Sequence, residues 1–144
     1  MKKTMLFILA ALMLAQFGCK KNDSANNDKI IGIWTMKNEV SNYYDAAKKL
    51  LHTDTHTDGS TKYNFKADGT LTVTDGQETT NLKWSKNGNT LVITSSPISL
   101  TGQILKLTDS ELSTSYIDTD APEYFDGNNW IIAHHSEEIS NFTR

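Results

Sequence analysis

The chain has a single cysteine, Cys19, in 144 residues, and that scarcity excludes an internal disulfide framework. Paired Cys/His spacings of the zinc type are missing too, as is a glycine-rich phosphate loop. The apolar run at residues 5–15 is eleven residues long, too short to cross a bilayer, which takes about twenty. Basic charge is also scarce. With Lys2 and Lys3 set aside, twelve basic residues face seventeen acidic ones, a formal charge of −5. No nucleic-acid partner is expected, because phosphate binding calls for a basic stripe.

What is present starts with the position of that cysteine. Lys2 and Lys3 give a positive start, the apolar stretch follows, and Gln16-Phe17-Gly18 leads into Cys19 and a polar Lys20-Lys21-Asn22-Asp23-Ser24. A basic end, a short apolar stretch and a small residue before the junction describe an export signal. With the cysteine at the cleavage point, the segment resembles a bacterial lipoprotein signal. That resemblance implies that the Cys19 thiol takes a diacylglyceryl group and becomes the mature N-terminus. Gly18 fits the pattern, whereas Gln16 and Phe17 stand where a leucine and a small residue are usual. Plain secretion is the alternative. Acyl chains contribute ~0.8 kcal/mol per buried methylene, so two or three hold a domain on a membrane without a spanning helix. Lys20 is compatible with outer-membrane sorting, so the expected location is the cell envelope, lipid-anchored at the outer membrane. Residues 1–18 are thus read as signal, the polar residues 19–28 as a tether, and residues 29–144 as one folded domain by length.

Within that domain the recurring signal is alternation of period two, which marks strands. Ile31, Ile33 and Thr35 alternate with Gly32, Trp34 and Met36. Tyr63, Phe65 and Ala67 precede Asp68-Gly69, and Leu71 and Val73 follow, a strong hairpin pattern because both turn residues tolerate positive φ. Leu82 and Trp84, then Asn87-Gly88-Asn89, then Leu91 and Ile93 repeat it. Residues 98–107 read as a strand in which Gly102 marks a bulge. Leu112, Thr114 and Tyr116 follow the Asp109-Ser110 turn, and residues 130–143 suit one bent strand or two short ones. Between residues 40 and 51 the spacing changes: Val40, Tyr43, Tyr44, Ala47, Leu50 and Leu51 fall at helical intervals, with Ser41 as N-cap. The expected fold is all-β: eight antiparallel strands closed into an up-and-down barrel, with one short helix after the first strand. A two-sheet sandwich is the competing architecture.

Ile31-Gly32-Ile33-Trp34 resembles the lipocalin signature, and the C-terminal Arg144 matches the arginine that lipocalins lay across that tryptophan. The layout of residues 30–144 is similar to short lipocalin-like lipoproteins of Bacteroidetes-type bacteria, with their Phe-x-x-Asp-Gly-Thr hairpin (residues 65–70) and a late Leu-Thr-Asp-x-x-Leu (residues 107–112). The resemblance implies a barrel that binds a small hydrophobic ligand, with Gly32, Trp34 and Arg144 as its structural signature. The loop motifs and disulfides of true lipocalins are missing, so ligand type does not carry over. The helix between strands one and two is similar to the lid of fatty-acid-binding relatives.

Alternating side chains of such a barrel face the lumen, and Tyr63, Phe65, Leu71, Val73, Leu82, Trp84, Leu91, Ile93, Leu105 and Tyr116 are the inward candidates. Of these Tyr63, Phe65, Leu82, Trp84, Ile93 and Tyr116 are the candidate ligand contacts, unless they simply fill the core. Tyr43, Tyr44, Leu50 and Leu51 on the helix would form a lid over the mouth or plug it. His52, Asp54, His56 and Asp58 fall at alternate positions, and residues 54–59 mimic the opening of a calcium loop, but its twelfth position is Phe65 instead of glutamate. His134 and His135 are adjacent, so a strand would send them to opposite faces; His134 with Glu137 or Glu138 would be the acid–base candidates. No positioned nucleophile accompanies them. The expectation is a binding protein and not an enzyme, with no metal and no cofactor. A filled barrel acting as a protein- or glycan-interaction module, through Tyr43, Tyr44, Tyr124, Phe125 and Trp130, is the alternative.

Overall fold

The computed structural model describes residues 29–144; the signal and tether expected at 1–28, Cys19 included, lie outside the described residues. The strands are β1 (Gly32–Tyr44), β2 (Leu50–Thr57), β3 (Lys62–Phe65), β4 (Thr70–Asp75), β5 (Glu78–Asn87) and β6 (Thr90–Ser95). They continue as β7 (Ile98–Leu107), β8 (Glu111–Asp118), β9 (Glu123–Phe125), β10 (Trp130–Ile132) and β11 (His135–Thr143). Every neighbouring pair is antiparallel. β11 joins β8 on one side and β1 on the other, and that second pairing closes β1, β3 to β8 and β11 into an eight-stranded barrel. The first half of β1 pairs with β3, while its second half pairs with β2, which makes the β1–β2 ribbon an extension of the wall.

The hairpins follow the turn chemistry of the sequence. Asp68 accepts a hydrogen bond from the Thr70 amide at 2.9 Å, and Gly69 has a φ of 80°. Gly88 turns β5 into β6 with a φ of 58°. Between β2 and β3, the Asp58 carboxylate accepts the amides of Gly59, Ser60 and Thr61, and the Thr61 side chain, followed by these amides, holds it well below the usual aspartate range. The last run is two strands, β10 and β11.

The helix expected over residues 40–51 is not formed. β1 runs on through Tyr43 and Tyr44, the chain reverses at Asp45, and Leu50 and Leu51 open β2. Two things outweigh the helical spacing. Residues 38–44 pair on both sides, with β11 and with β2, which satisfies their backbone groups twice over. Asp45 then serves a turn, its carboxylate accepting the amides of Ala47 and Lys49 at 2.8 and 2.9 Å while Lys48 takes a φ of 63°.

Bulges reset which residues face the lumen. One at Lys37 shifts the β1–β11 register between Met36 and Asn38, so Trp34 and Met36 face inward but Glu39 then takes the inward place. Another shifts β7 between Ile104 and Lys106. Leu105, expected inside, is 55% exposed, and Ile104 takes the core position at 5%. Gly102 itself stays in regular pairing opposite Leu91; a Cβ there would stand 2.5 Å from the Ser115 carbonyl oxygen.

The core lies toward one end of the barrel. Ile30, Trp34, Met36, Phe65, Leu71 and Leu112 are buried there, with Leu82 and Trp84 packed against them. Trp34 donates its indole N–H to the Ile30 carbonyl at 2.8 Å. Arg144 closes that end: its guanidinium lies 4.3 Å from the Trp34 ring and donates to the carbonyls of Lys29, Ile31 and Asp109. Gly32, at a φ of 131°, leaves room for it, since a Cβ would approach the Arg144 Nη1 to 3.0 Å.

Candidate functional site

Above this packed end the lumen holds a cavity of about 180 Å³. Its deep part is apolar, walled by the buried Phe65, Leu91 and Phe142, with Ile93 and Leu100 higher up. Small residues make the space: Gly102 contributes no side chain, and Thr114, Ser115 and Ser140 contribute short ones. Tyr63 stands edge-on against Phe142 with ring centres 4.9 Å apart.

The other part of the lining is acidic. Glu39 of β1 and Glu138 of β11 both face the cavity, beside Tyr116 of β8. Their register places them diagonally, since Glu39 opposes Ser140 while Glu138 opposes Ser41. Ser140 donates its hydroxyl to Glu39 at 3.3 Å. Burial pushes the Glu138 carboxyl above the ordinary glutamate range, and the charges of Glu39 and Asp118 add to that. Burial likewise raises the Tyr63 phenol, reinforced by Glu39, Asp58 and Asp75.

Four of the six expected ligand contacts, Tyr63, Phe65, Ile93 and Tyr116, meet in this cavity. Leu82 and Trp84 belong instead to the packing beneath it; Trp84 sets its edge on Phe65 at 5.3 Å and donates its indole N–H to the Lys66 carbonyl at 3.0 Å. Gly32, Trp34 and Arg144 meet at the closed end. Tyr43, Tyr44, Leu50 and Leu51 form no lid helix: they sit on the β1–β2 ribbon, where Leu50 and Leu51 are exposed. A hairpin packs on that ribbon. Tyr124 of β9 stacks on His52 at 4.7 Å and contacts Tyr43 at 5.2 Å, while the His134 amide donates to the Tyr44 carbonyl. Phe125, Trp130 and Ile132 of this β9–β10 hairpin are exposed, Trp130 by 69%.

His134 and His135 also differ from expectation. His134 lies in the bend before β11, so its ring reaches the neighbouring one, Nδ1 to Nδ1 at 3.3 Å, and His135 stacks on Tyr44 at 5.0 Å. His52 pairs with Asp54 at 2.9 Å on β2. Among the described residues no group of three His, Cys, Asp or Glu side chains is arranged to hold a metal ion.

Glu39, Leu100, Gly102, Thr114, Ser115, Glu138, Ser140 and Phe142 escaped the sequence reading as cavity residues, Glu138 having been considered only as an acid–base partner of His134. Glu138, Ser140 and Phe142 were open to it, since they alternate along the last strand. Glu39 was hidden by the Lys37 bulge, which nothing local announces.

Among known proteins, the family model for the lipocalin-like domain matches residues 30–114. No curated protein and no solved structure gave a match. The matched segment is more than half of the chain and covers the strands from β1 into β8 that build most of the closed barrel, so the chain belongs to the lipocalin-like domain family.

Proposed function

We propose that this protein is a lipid-anchored component of the cell envelope that binds a small, largely apolar ligand in its barrel and releases it unchanged. The observation that carries the reading is the 180 Å³ cavity with its ring-walled deep end. A cavity of ~150 Å³ admits benzene, while pockets for drug-sized molecules run to about 300–1,000 Å³. The ligand class is therefore a one-ring molecule or a short branched chain, and a long acyl chain is too large. The anchor reading rests on Lys2, Lys3, the apolar run and Cys19.

Calorimetric titration of the full chain with 2-phenylethanol tests the pocket. Saturable one-to-one binding is expected, lost in Ile93→Trp, which fills the lumen, while circular dichroism stays that of the parent. For the anchor, Cys19→Ser is expected to move the protein from the membrane fraction to the soluble fraction; a parent already soluble overturns that half.

The exposed Phe125, Trp130 and Ile132 support a second reading, in which the hairpin docks a partner and the lumen plays no part. It takes precedence if no one-ring probe binds.

A further inference from the structure

Resting on the ligand-binding reading, we propose that the ligand is a cationic amphiphile, a small amine or guanidine whose apolar body enters the lumen and whose charge is held between Glu39 and Glu138. The cavity makes this a site, and the two carboxylates set the sign of what it takes. Both side chains line the same space, from strands that pair with each other, at diagonal register positions. Such positions lie roughly 7–8 Å apart along the backbone, close enough for one ammonium group to face both side chains.

Among the described residues no ion pair neutralises them. The cavity lining contains no lysine, arginine or histidine. Among the described residues the ion pairs are Lys29–Asp109, His52–Asp54 and Lys106–Glu111, none of which involves either glutamate. The titratable groups facing the pair are Asp118 and Tyr116 on β8, Tyr43 on β1, Tyr63 on β3 and, on β2, Asp54 and the exposed His56 opposite Glu39, so every neighbour but His56 is acidic or phenolic. Two partly buried like charges disfavour one another, and a cation relieves both the repulsion and the desolvation. An anionic ligand, such as a carboxylate with the same apolar body, would add a third negative charge.

The test is a matched series on the full chain: 2-phenylethylamine, 2-phenylethanol and phenylacetate, which share a ring and differ in charge. The amine is expected to bind at least roughly tenfold tighter than the alcohol, since hydrogen bonds to charged groups exceed neutral ones by about that factor. Phenylacetate is expected to bind more weakly than the alcohol. In Glu39→Gln/Glu138→Gln the preference for the amine should disappear while the alcohol still binds, which also reports that the barrel is intact. Acid should weaken amine binding as Glu138 takes up its proton, leaving alcohol binding unchanged. Equal binding of all three overturns the cation proposal and leaves the pocket standing. Binding of none overturns the pocket reading as well.

Discussion

Arg144 does several jobs with one side chain. It lies over the Trp34 indole and donates to three backbone carbonyls, tying the start of the domain to the β7–β8 turn. Lysine keeps the charge and loses the planar fork. Arg144→Lys should therefore lower unfolding free energy by about 1–2 kcal/mol in urea titrations, with the dependence on denaturant unchanged. Glu138 has the opposite character. Its folded pKa lies above the unfolded one, so the native state holds an extra proton between the two values. That contribution is complete below the unfolded glutamate pKa of ~4.3 and is lost as pH rises through the folded value. At pH 7 the ionised side chain therefore costs stability, a cost that solvent access tempers. Glu138→Gln should raise the Tm at pH 7, and the gain should vanish near pH 3.5. A lower Tm at pH 7 would mean that the carboxylate is well compensated and needs no cation. A binding residue held at a cost to stability is the pattern expected of a functional site.

At the scale of elements, β7 shows how one residue shapes the lumen. Gly102 lets the β7 and β8 backbones approach so closely that a methyl group would press on the Ser115 carbonyl. Gly102→Ala should cost about 1–3 kcal/mol, the range for overpacking, and shrink the cavity it lines. The check is a thermal melt beside a titration with 2-phenylethanol, and both should weaken together. β1 makes the complementary point. Its second half carries helical spacing, yet pairing with β2 and β11 decides the conformation. Helical spacing is a local statement, and two flanking strands supply more hydrogen bonds and contacts than a lone three-turn helix would keep in water. The turn chemistry at Asp68 and Gly88 was readable because it acts within a few residues, whereas the turn at Asp45 lay hidden inside the segment whose spacing read as helix.

At the scale of the whole molecule, the barrel has two unlike ends. One is sealed by Trp34, Arg144 and the packed core; the other carries carboxylates, tyrosines and the β9–β10 hairpin. Chain entry at Lys29 and Ile30 lies at the sealed end, where Trp34 and Arg144 hold their carbonyls. A tether from Cys19 would therefore join the protein opposite its mouth and leave the cavity open to solvent.

Much of this was determined by the sequence alone: the alternation, the turn pairs and the Gly32-x-Trp34 start with Arg144 predict a lipocalin-like barrel, and parity turns Tyr63, Phe65, Ile93 and Tyr116 toward the cavity. Parity is set by the chain itself, residue against next residue, so it survives as far as the next bulge. Past Lys37 and Leu105 only the tertiary structure decides, because a bulge forms where neighbouring strands must bend to close the barrel. Closure turned Leu105 outward, brought Glu39 in beside Glu138, and kept as strand a segment whose own spacing was helical.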